Sequence, residues 1–263
     1  MKKMLALALG LVFMTGIIAG CGGGDKKTTG TKEAKKIVIG LDDSFPPMGF
    51  KDEKNEIVGF DIDMAKEASK RLGRPVEFKT IDWSSKEAEL KSGRIDAIWN
   101  GLNITPDREK NMLFSKAYME CKQLIFVPVG SPIKGQADLT GKVVGMQSAS
   151  TAEINLDADP TFAAQLKEVK KYPDCIVALM DLEAGRVDAI ITDEIVGRYY
   201  MSKKPGKFEV REAPVGPIGV FGIAFAKDNT ALQTEVQKVL DTMKKDGTSA
   251  KISQKWFGAD ILF

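Results

Sequence analysis

Short apolar runs alternate with segments of helical periodicity along most of the chain. A short run of apolar residues has the length of a strand, whereas a recurring apolar stripe predicts an amphipathic helix. The predicted strands are residues 36–41, 57–60, 76–81, 95–99, 124–129, 142–146, 169–172, 208–211 and 220–226. The predicted helices are residues 61–72, 85–90, 175–184, 230–244 and 252–257. Strands that alternate with helices are typical of an α/β fold.

The stretch 92–108 combines a buried strand with the start of a helix. The apolar run 95–99 is followed by polar residues where the strand is expected to leave its sheet. Thr105 and Pro106 then supply a hydroxyl N-cap and a proline at the first helical position. Arg108 falls in the first turn of that helix. Backbone N–H groups, a helix N-terminus and a guanidinium therefore predict an anion site, and a carboxylate is its expected ligand.

An internal repeat links this stretch to a second one. The residues 90–98 are echoed by 182–190, which lie 92 positions later and share the pattern Gly-Arg-X-Asp-Ala-Ile. The second copy also ends in polar residues, among them Asp193. Both copies lie in a strand-helix-strand context, so the repeat predicts two lobes of similar α/β construction.

Two further loops follow predicted strands. Ligands of open α/β sheets bind beyond the carboxyl ends of the strands, which is where Asp42 and Phe45 are expected. Small residues at 147–152 can form a nest of backbone N–H groups before a helix. The alternatives are a surface turn with one packed aromatic for the first loop and simple helix capping for the second. Trp83 is either a core residue or a wall of a binding cleft.

The first residues predict an export signal. A basic start precedes an apolar run at 4–18 that is too short for a comfortable membrane span. The run ends in Ile-Ala-Gly-Cys, which resembles the bacterial lipobox, in which the cysteine is lipidated. We therefore predict a signal peptide at 1–20, a lipidated Cys21 and a flexible tether at 21–35. The alternative is an ordinary signal peptide with an incidental cysteine.

Composition excludes several classes of function. The full chain has 38 basic and 36 acidic residues, and cleavage before Cys21 removes Lys2 and Lys3, so the mature chain is close to neutral. This balance argues against a nucleic-acid partner. The chain has no histidine, the commonest general base and metal ligand, so we predict neither a metal site nor a cofactor. No second apolar run can cross a membrane, so membrane contact is expected through the lipid alone.

Several motifs occur in a characteristic order. They include Phe-Pro-Pro-Met-Gly-Phe at 45–50, Gly-Phe-Asp-Ile-Asp at 59–63, Gly-Arg-Ile-Asp at 93–96, Ile-Thr-Pro-Asp-Arg at 104–108, Phe-Ser at 114–115, Asp-Leu-Thr-Gly-Lys at 138–142, Gly-Arg-Val-Asp-Ala at 185–189 and Lys-Trp-Phe-Gly at 255–258. Together they resemble the extracytoplasmic solute-binding lipoproteins of polar amino-acid ABC importers, the family 3 type. The resemblance covers nearly all of the mature chain.

The resemblance implies a particular fold. It is the two-lobed periplasmic-binding-protein fold of type II, in which each lobe is a mixed sheet flanked by helices. Two crossing strands, expected at 124–129 and 219–226, join the lobes. The first lobe is then 36–122 plus 221–263, and the second lobe is 123–220. The cleft between them closes on one amino acid.

The resemblance also assigns roles to single residues. Arg108 binds the ligand α-carboxylate, helped by the Asn103 backbone N–H and by Thr151 of the second lobe. Asp193 takes the α-ammonium, helped by the Gly101 carbonyl.

Further positions complete the predicted site. Phe45 and Trp83 sandwich the ligand side chain, and Asp42 contacts its distal end. The remaining candidates are Asn100, Ser150 and Asp174. One departure from the family pattern is Ala149, which stands where glycine is usual. Another concerns Asn100 and Asn103, which replace the serine or threonine of some members.

Cys121 and Cys175 leave two alternatives open. They form a disulfide in an oxidising compartment or remain two buried thiols. The thiols are favoured because the resemblance places the cysteines in different lobes, where a covalent tie hinders opening.

The expected function is that of a monomeric receptor that delivers a free amino acid to an ABC permease outside the cytoplasm. The alternatives are a dehydratase on the same fold, with Glu194 or Asp174 as its acid or base, and a ligand-sensing module. A sensing module usually continues into a transmembrane helix and a signalling domain, and we expect neither after Phe263. Asp42, Asp43 and Asp174 favour a cationic ligand such as arginine or lysine. The two asparagines equally suit a polar uncharged ligand such as glutamine or cystine.

Overall fold

The computed structural model describes residues 35–263. The predicted signal peptide (1–20), Cys21 and all but the last residue of the predicted tether lie outside this range. Among the helices within 35–263, none is long and apolar enough to cross a membrane.

Strands and helices alternate along the described chain, as the hydrophobic pattern predicts. The strands are β1 (Ile37–Leu41), β2 (Ser44–Phe45), β3 (Gly49–Lys51), β4 (Ile57–Val58), β5 (Val76–Thr80), β6 (Ala97–Asn103), β7 (Met112–Phe114), β8 (Met119–Cys121), β9 (Gln123–Pro128), β10 (Val143–Gln147), β11 (Glu168–Tyr172), β12 (Ala189–Asp193), β13 (Phe208–Arg211) and β14 (Gly219–Ala226). The helices are α1 (Phe60–Leu72), α2 (Lys86–Lys91), α3 (Pro106–Asn111), α4 (Thr151–Asp157), α5 (Pro160–Ala163), α6 (Cys175–Glu183), α7 (Glu194–Lys203), α8 (Thr230–Lys245) and α9 (Thr248–Phe257).

Two mixed sheets form the centres of two lobes. The first lobe has the strand order β5-β1-β6-β14-β7, with β8 also paired to β14, and the second lobe has the order β11-β10-β12-β9-β13. In each, three parallel strands meet one long antiparallel neighbour. Helices α1, α2 and α8 pack on the first sheet, and α4, α6 and α7 pack on the second. The short strands β2, β3 and β4 form a small third sheet.

The internal repeat occupies the same place in both lobes. It leads into β6 in the first sheet and into β12 in the second. Asp96 accepts a hydrogen bond from the backbone N–H of Val38 at 2.8 Å, and Asp188 accepts one from Val143 at 2.7 Å. Each repeated aspartate therefore satisfies a backbone donor of the neighbouring strand, which explains its presence without a role in binding.

The chain passes twice between the sheets. The almost continuous extended segment 119–128 contributes β8 to the first sheet and β9 to the second. The return runs through residues 212–218, and β14 lies in the first sheet from Gly219 onward.

The structure differs from the predicted pattern at β6 and in six elements with no predicted counterpart, which are β2, β3, β7, β8, α5 and α7. The strand predicted at 95–99 is β6, which extends to Asn103 because Leu102 and Asn103 pair with β14. All seven of its residues are buried, including the polar ones. Helix α7 has no predicted counterpart. Its Gly197 lies so close to the Phe126 ring that a Cβ atom there would be 2.0 Å from the ring, which accounts for a glycine inside a helix.

Candidate functional site

A small cavity lies between the two lobes. Its walls are Phe45, Trp83, Gly101, Asn103 and Arg108 from the first lobe and Gln147, Ser150, Thr151 and Asp193 from the second. The structure thus brings together eight of the eleven residues named from the sequence, and adds Gln147. Asp42, Asn100 and Asp174 do not line the cavity.

Arg108 supplies a buried cation. The Thr105 hydroxyl caps α3 and accepts a hydrogen bond from the Arg108 backbone N–H at 3.3 Å, as the sequence predicts. The guanidinium donates to the Asn103 carbonyl at 3.0 Å, to the Thr151 hydroxyl at 3.4 Å and to the Ala149 carbonyl at 3.2 Å. Burial lowers the pKa of Arg108 to about 10. Burial therefore disfavours the charged guanidinium, and an anion bound beside it would stabilise its charge.

Asp193 supplies a buried acid on the opposite wall. It ends β12, and one of its oxygens accepts hydrogen bonds from the Gln123 amide at 2.9 Å and from the Cys121 thiol. Burial raises the pKa of Asp193 to about 6, and these two donors limit the rise. A cation at the cavity would favour the ionised form of this carboxyl.

The lobes also meet beside Arg108. The Thr151 hydroxyl donates to Oδ1 of Asn103 at 2.8 Å, so the two side chains and the guanidinium form one hydrogen-bonded group. Ser150 caps α4 and accepts from the Glu153 backbone N–H at 3.3 Å. Ala149, which precedes it, has a φ of +54°. This left-handed conformation explains why glycine is usual there in the family the sequence resembles.

Two aromatic side chains form the apolar walls. Phe45 packs against Gly101, where a Cβ atom would lie 2.7 Å from the ring, and Gly101 has a φ of +56°. Trp83 lines the cavity and also belongs to a buried cluster of the first lobe. Trp83 is therefore both a core residue and a wall of the cavity, which combines the two alternatives.

Lys86 is a buried cation that the sequence did not indicate. It begins α2, where a lysine normally faces water. Its Nζ lies 5.0 Å from the centre of the Trp83 ring and donates to the carbonyls of Trp83 at 3.1 Å and Ala149 at 3.0 Å. Burial, together with the charge of Arg108, lowers the pKa of Lys86 to about 7. The Ala149 carbonyl thus joins two cations of the first lobe to the second.

Asn100 and Asp174 hold local structure. The Asn100 side chain accepts from the Asp42 backbone N–H at 3.0 Å and donates to the Gly49 carbonyl at 3.3 Å. Asp174 caps α6 by accepting from the Val177 backbone N–H at 2.8 Å, so it serves as a helix N-cap.

Asp42 lies behind Gln147. The Gln147 amide donates to Oδ2 of Asp42 at 2.6 Å and to the Pro173 carbonyl at 3.0 Å. The Ser44 backbone N–H donates to the other carboxyl oxygen at 2.9 Å. Burial raises the pKa of Asp42 to about 6, although these donors oppose the rise. The sequence feature that could have indicated Gln147 as a site residue is its position directly after the predicted strand 142–146.

Both cysteines of the described chain are free and buried. Cys121 lies against Asp193, whereas the Cys175 thiol donates to Oε1 of Gln147 at 3.3 Å. The second of the two alternatives, two buried thiols, therefore holds in this structure. Within residues 35–263, no group of three or more Cys, Asp or Glu side chains is arranged to hold a metal ion.

The cavity between the two α/β lobes is thus lined by groups of opposite charge, Arg108 and Asp193. The family model of bacterial extracellular solute-binding proteins, family 3, matches residues 37–259. The chain belongs to this family. The resemblance that the motifs indicate is thereby confirmed.

Individual relatives of this family 3 protein agree in sequence and in fold. ABC transporter arginine-binding protein 1 of Escherichia coli K12 is 33% identical over 234 residues, which cover 88% of this chain and 94% of the relative. A substrate-binding protein of an ABC uptake transporter from Streptococcus pneumoniae, solved with bound histidine, has 34% identity and a TM-score of 0.83, covering 86% of this chain and 94% of that one.

A third match is an ancestral arginine-binding protein bound to glutamine. It has 41% identity and a TM-score of 0.79, and the match covers 85% of this chain and 98% of that one. These matches confirm the predicted two-lobed fold of type II. The Escherichia coli and Streptococcus pneumoniae relatives are binding proteins of ABC transporters.

Proposed function

We propose that this protein binds one free α-amino acid between its lobes and delivers it to the membrane permease of an ABC importer. The observation that carries the proposal is the pair Arg108 and Asp193. They bear opposite charges, come from opposite lobes and line one small cavity. An α-amino acid carries the complementary charges, since its ammonium and carboxylate groups are bonded to the same carbon atom.

The ligand carboxylate is assigned to Arg108. The guanidinium can form two parallel hydrogen bonds with a carboxylate, and Thr151 and the Asn103 backbone complete the group. The ligand ammonium is assigned to Asp193 and the Gly101 carbonyl. Burial disfavours the ionised forms of both Arg108 and Asp193, so a bound zwitterion stabilises each of them where water is excluded.

Binding is expected to favour the closed arrangement of the lobes. One end of the ligand contacts a residue of the first lobe, and the other contacts a residue of the second. A ligand that interacts better with the closed arrangement shifts the population toward it. The permease can then distinguish the loaded protein from the free one by the relation between its lobes.

The side chain of the ligand is proposed to be cationic, as in arginine or lysine, with a polar uncharged side chain such as that of glutamine as the second candidate. Phe45 and Trp83 offer apolar faces for its methylene groups. Gln147 is the polar group at the cavity, and a cationic end that displaces its amide reaches the Asp42 carboxylate. Relatives that bind arginine, histidine or glutamine are compatible with both candidates.

The anchoring of the protein is part of the proposal. The signal peptide at 1–20 directs export, and a lipid on Cys21 holds the monomer at the outer face of the cell membrane. Labelling of cells with a fatty acid tests this point. The wild type is expected to carry covalently bound fatty acid, and Cys21→Ala is expected to carry none. Equal labelling of both proteins, or no label on the wild type, would contradict a lipid on Cys21.

Isothermal titration against the twenty amino acids, cystine and ornithine tests the receptor function. We expect saturable heat with one ligand per protein for arginine or lysine, and weaker binding of glutamine. An absence of heat with every compound refutes the proposal. Mass spectrometry after prolonged incubation separates a carrier, which returns its ligand unchanged, from a dehydratase.

A further inference from the structure

Asp61 is a buried acid that has no place in the proposed binding contacts. It lies in the first turn of α1 and its accessible surface is 0%. It does not line the cavity between the lobes. Burial raises its pKa to about 7, against the effect of hydrogen bonds from Gly101 and Tyr118. Burial of a carboxyl group costs free energy, so Asp61 is expected to have a specific role in the structure.

Strand β6 is irregular at the residue that Asp61 contacts. Leu102 pairs with Gly222 of β14, but Ile98 pairs with Ala224. Three residues of β6 therefore lie opposite one residue of β14, which is a bulge. Gly101 belongs to this bulge and has a φ of +56°. Its backbone N–H leaves the regular ladder and needs another acceptor.

Asp61 provides that acceptor. Its Oδ2 accepts a hydrogen bond from the Gly101 backbone N–H at 2.7 Å and another from the Tyr118 hydroxyl at 3.0 Å. Hydrogen bonds to a carboxylate are stronger than neutral ones. The Asp61 backbone N–H is itself held by the Met48 carbonyl at 2.9 Å. Both side-chain hydrogen bonds go to Oδ2, and Oδ1 of Asp61 is buried with no hydrogen-bond partner within residues 35–263. Asp61 therefore fixes the bulge through Oδ2.

We infer that Asp61 is a positioning residue that sets the Gly101 backbone at the ammonium end of the ligand site. The inference rests on the proposed function, because Gly101 is assigned there as an acceptor for the α-ammonium. Gly101 lines the cavity and packs on Phe45, so a change in the bulge displaces both the carbonyl and an aromatic wall. Asp61 acts through Gly101 and does not touch the ligand.

Three variants test this role. Asp61→Ala removes the acceptor, and Asp61→Asn keeps an amide oxygen that can accept from Gly101. Met64→Ala is the control for stability. Met64 is buried on the same helix and also lies outside the cavity. Affinity for the best amino acid is measured by isothermal titration, and stability by urea unfolding.

The positioning role predicts that Asp61→Ala loses at least tenfold in affinity, whereas Asp61→Asn stays within about threefold of the wild type. Met64→Ala is expected to lose stability and keep its affinity. Equal loss of affinity in Asp61→Ala and Met64→Ala, or full affinity in Asp61→Ala, overturns the inference. If the wild type binds no amino acid, the proposed function itself has failed, which is a separate outcome.

A second measurement does not depend on the folding of Asp61→Ala. The amide proton of Gly101 is followed by NMR in the wild type and in Asp61→Asn. Because an amide oxygen is a weaker acceptor than a carboxylate, the resonance is expected to move upfield in the variant. An unchanged Gly101 resonance overturns the inference.

Discussion

Gln147 of the second lobe donates a hydrogen bond of 2.6 Å to the Asp42 carboxylate of the first lobe. The bond places a neutral amide, rather than an acid, at the cavity. The Cys175 thiol and the Pro173 carbonyl hold the same amide from behind. While Gln147 stays in place, a ligand side chain contacts its neutral amide. If Gln147 moves, the side chain can contact the Asp42 carboxylate.

Gln147→Ala is expected to open the way to Asp42. The preference for arginine over glutamine should rise about tenfold, because the carboxylate gains a cationic partner and glutamine loses an amide partner. Titration of the wild type and the variant with both ligands measures the ratio. Gln165→Ala, which changes an exposed glutamine, is the control. An unchanged ratio would mean that Asp42 does not contact the ligand.

Affinity is expected to fall in acid. The pKa of Asp193 is raised to about 6 in the free protein, and its proton must leave before the carboxylate can pair with an ammonium. Below pH 6 the affinity should approach a tenfold loss per pH unit. Titrations with glutamine between pH 5 and 8 measure this, and Asp42→Asn, which removes the other acid near pKa 6, should keep the slope because an uncharged side chain needs no ionised Asp42. A constant affinity would exclude Asp193 as the ammonium partner.

Stability of the free protein should change in the opposite direction. The pKa values of Asp42 and Asp193 are both raised from 3.8 to about 6 on folding, so the folded state binds more protons than the unfolded state between these values. The contribution of these two carboxyls to the free energy of unfolding therefore rises as the pH falls from about 7 to about 4. Urea unfolding of the wild type and of Asp42→Asn over this range isolates the contribution of Asp42. A contribution that falls instead would contradict the raised pKa.

Arg108→Met is expected to separate binding from stability. Removing the carboxylate partner should cost about 3 kcal/mol of binding, a loss of at least ~100-fold. The stability of the free protein should change little, because relief of a buried charge offsets the loss of its hydrogen bonds to Asn103, Thr151 and Ala149. Titration and urea unfolding measure the two effects, with Arg94→Met at an exposed turn as the control. Retained affinity would refute the carboxylate assignment.

Ala149→Gly is expected to stabilise the protein by up to ~1 kcal/mol. The φ of +54° is strained for alanine and accessible to glycine. Ala149→Val should have the opposite effect, because a β-branched residue tolerates this conformation least. Urea unfolding of both variants is the measurement. A destabilised glycine variant would show that the flexibility gained in the unfolded chain outweighs the relief of strain.

Local pattern was sufficient for most elements and for the predicted anion site at Arg108, whereas the resemblance to the family supplied the other residue roles. The alternation of apolar runs and helical stripes located most strands and helices, and the repeat at 90–98 and 182–190 anticipated two similar lobes. Arg108 could be placed because its helix start is encoded by its own neighbours, Thr105 and Pro106. Such features depend on residues close in sequence, which is why they can be read from it.

Other features were decided only when distant segments came together. Asn100 is a predicted site residue after the end of a strand, but β6 extends past it by pairing with β14. Its side chain accepts a hydrogen bond from the Asp42 backbone N–H. Gln147 and Lys86 became part of the site or its rim through contacts with the opposite lobe. Asp61 acquired its role from a bulge in a strand 40 residues away.

The sequence by itself therefore determined the fold class, the twofold construction and the two charges proposed to hold an amino acid. The tertiary structure decided which polar side chains face the cavity and which form hydrogen bonds elsewhere within the protein. The physical reason is that a buried polar group is costly without a hydrogen-bond partner, so most of them find one within the protein. In a two-lobed protein, many of those partners belong to a different lobe or a distant strand.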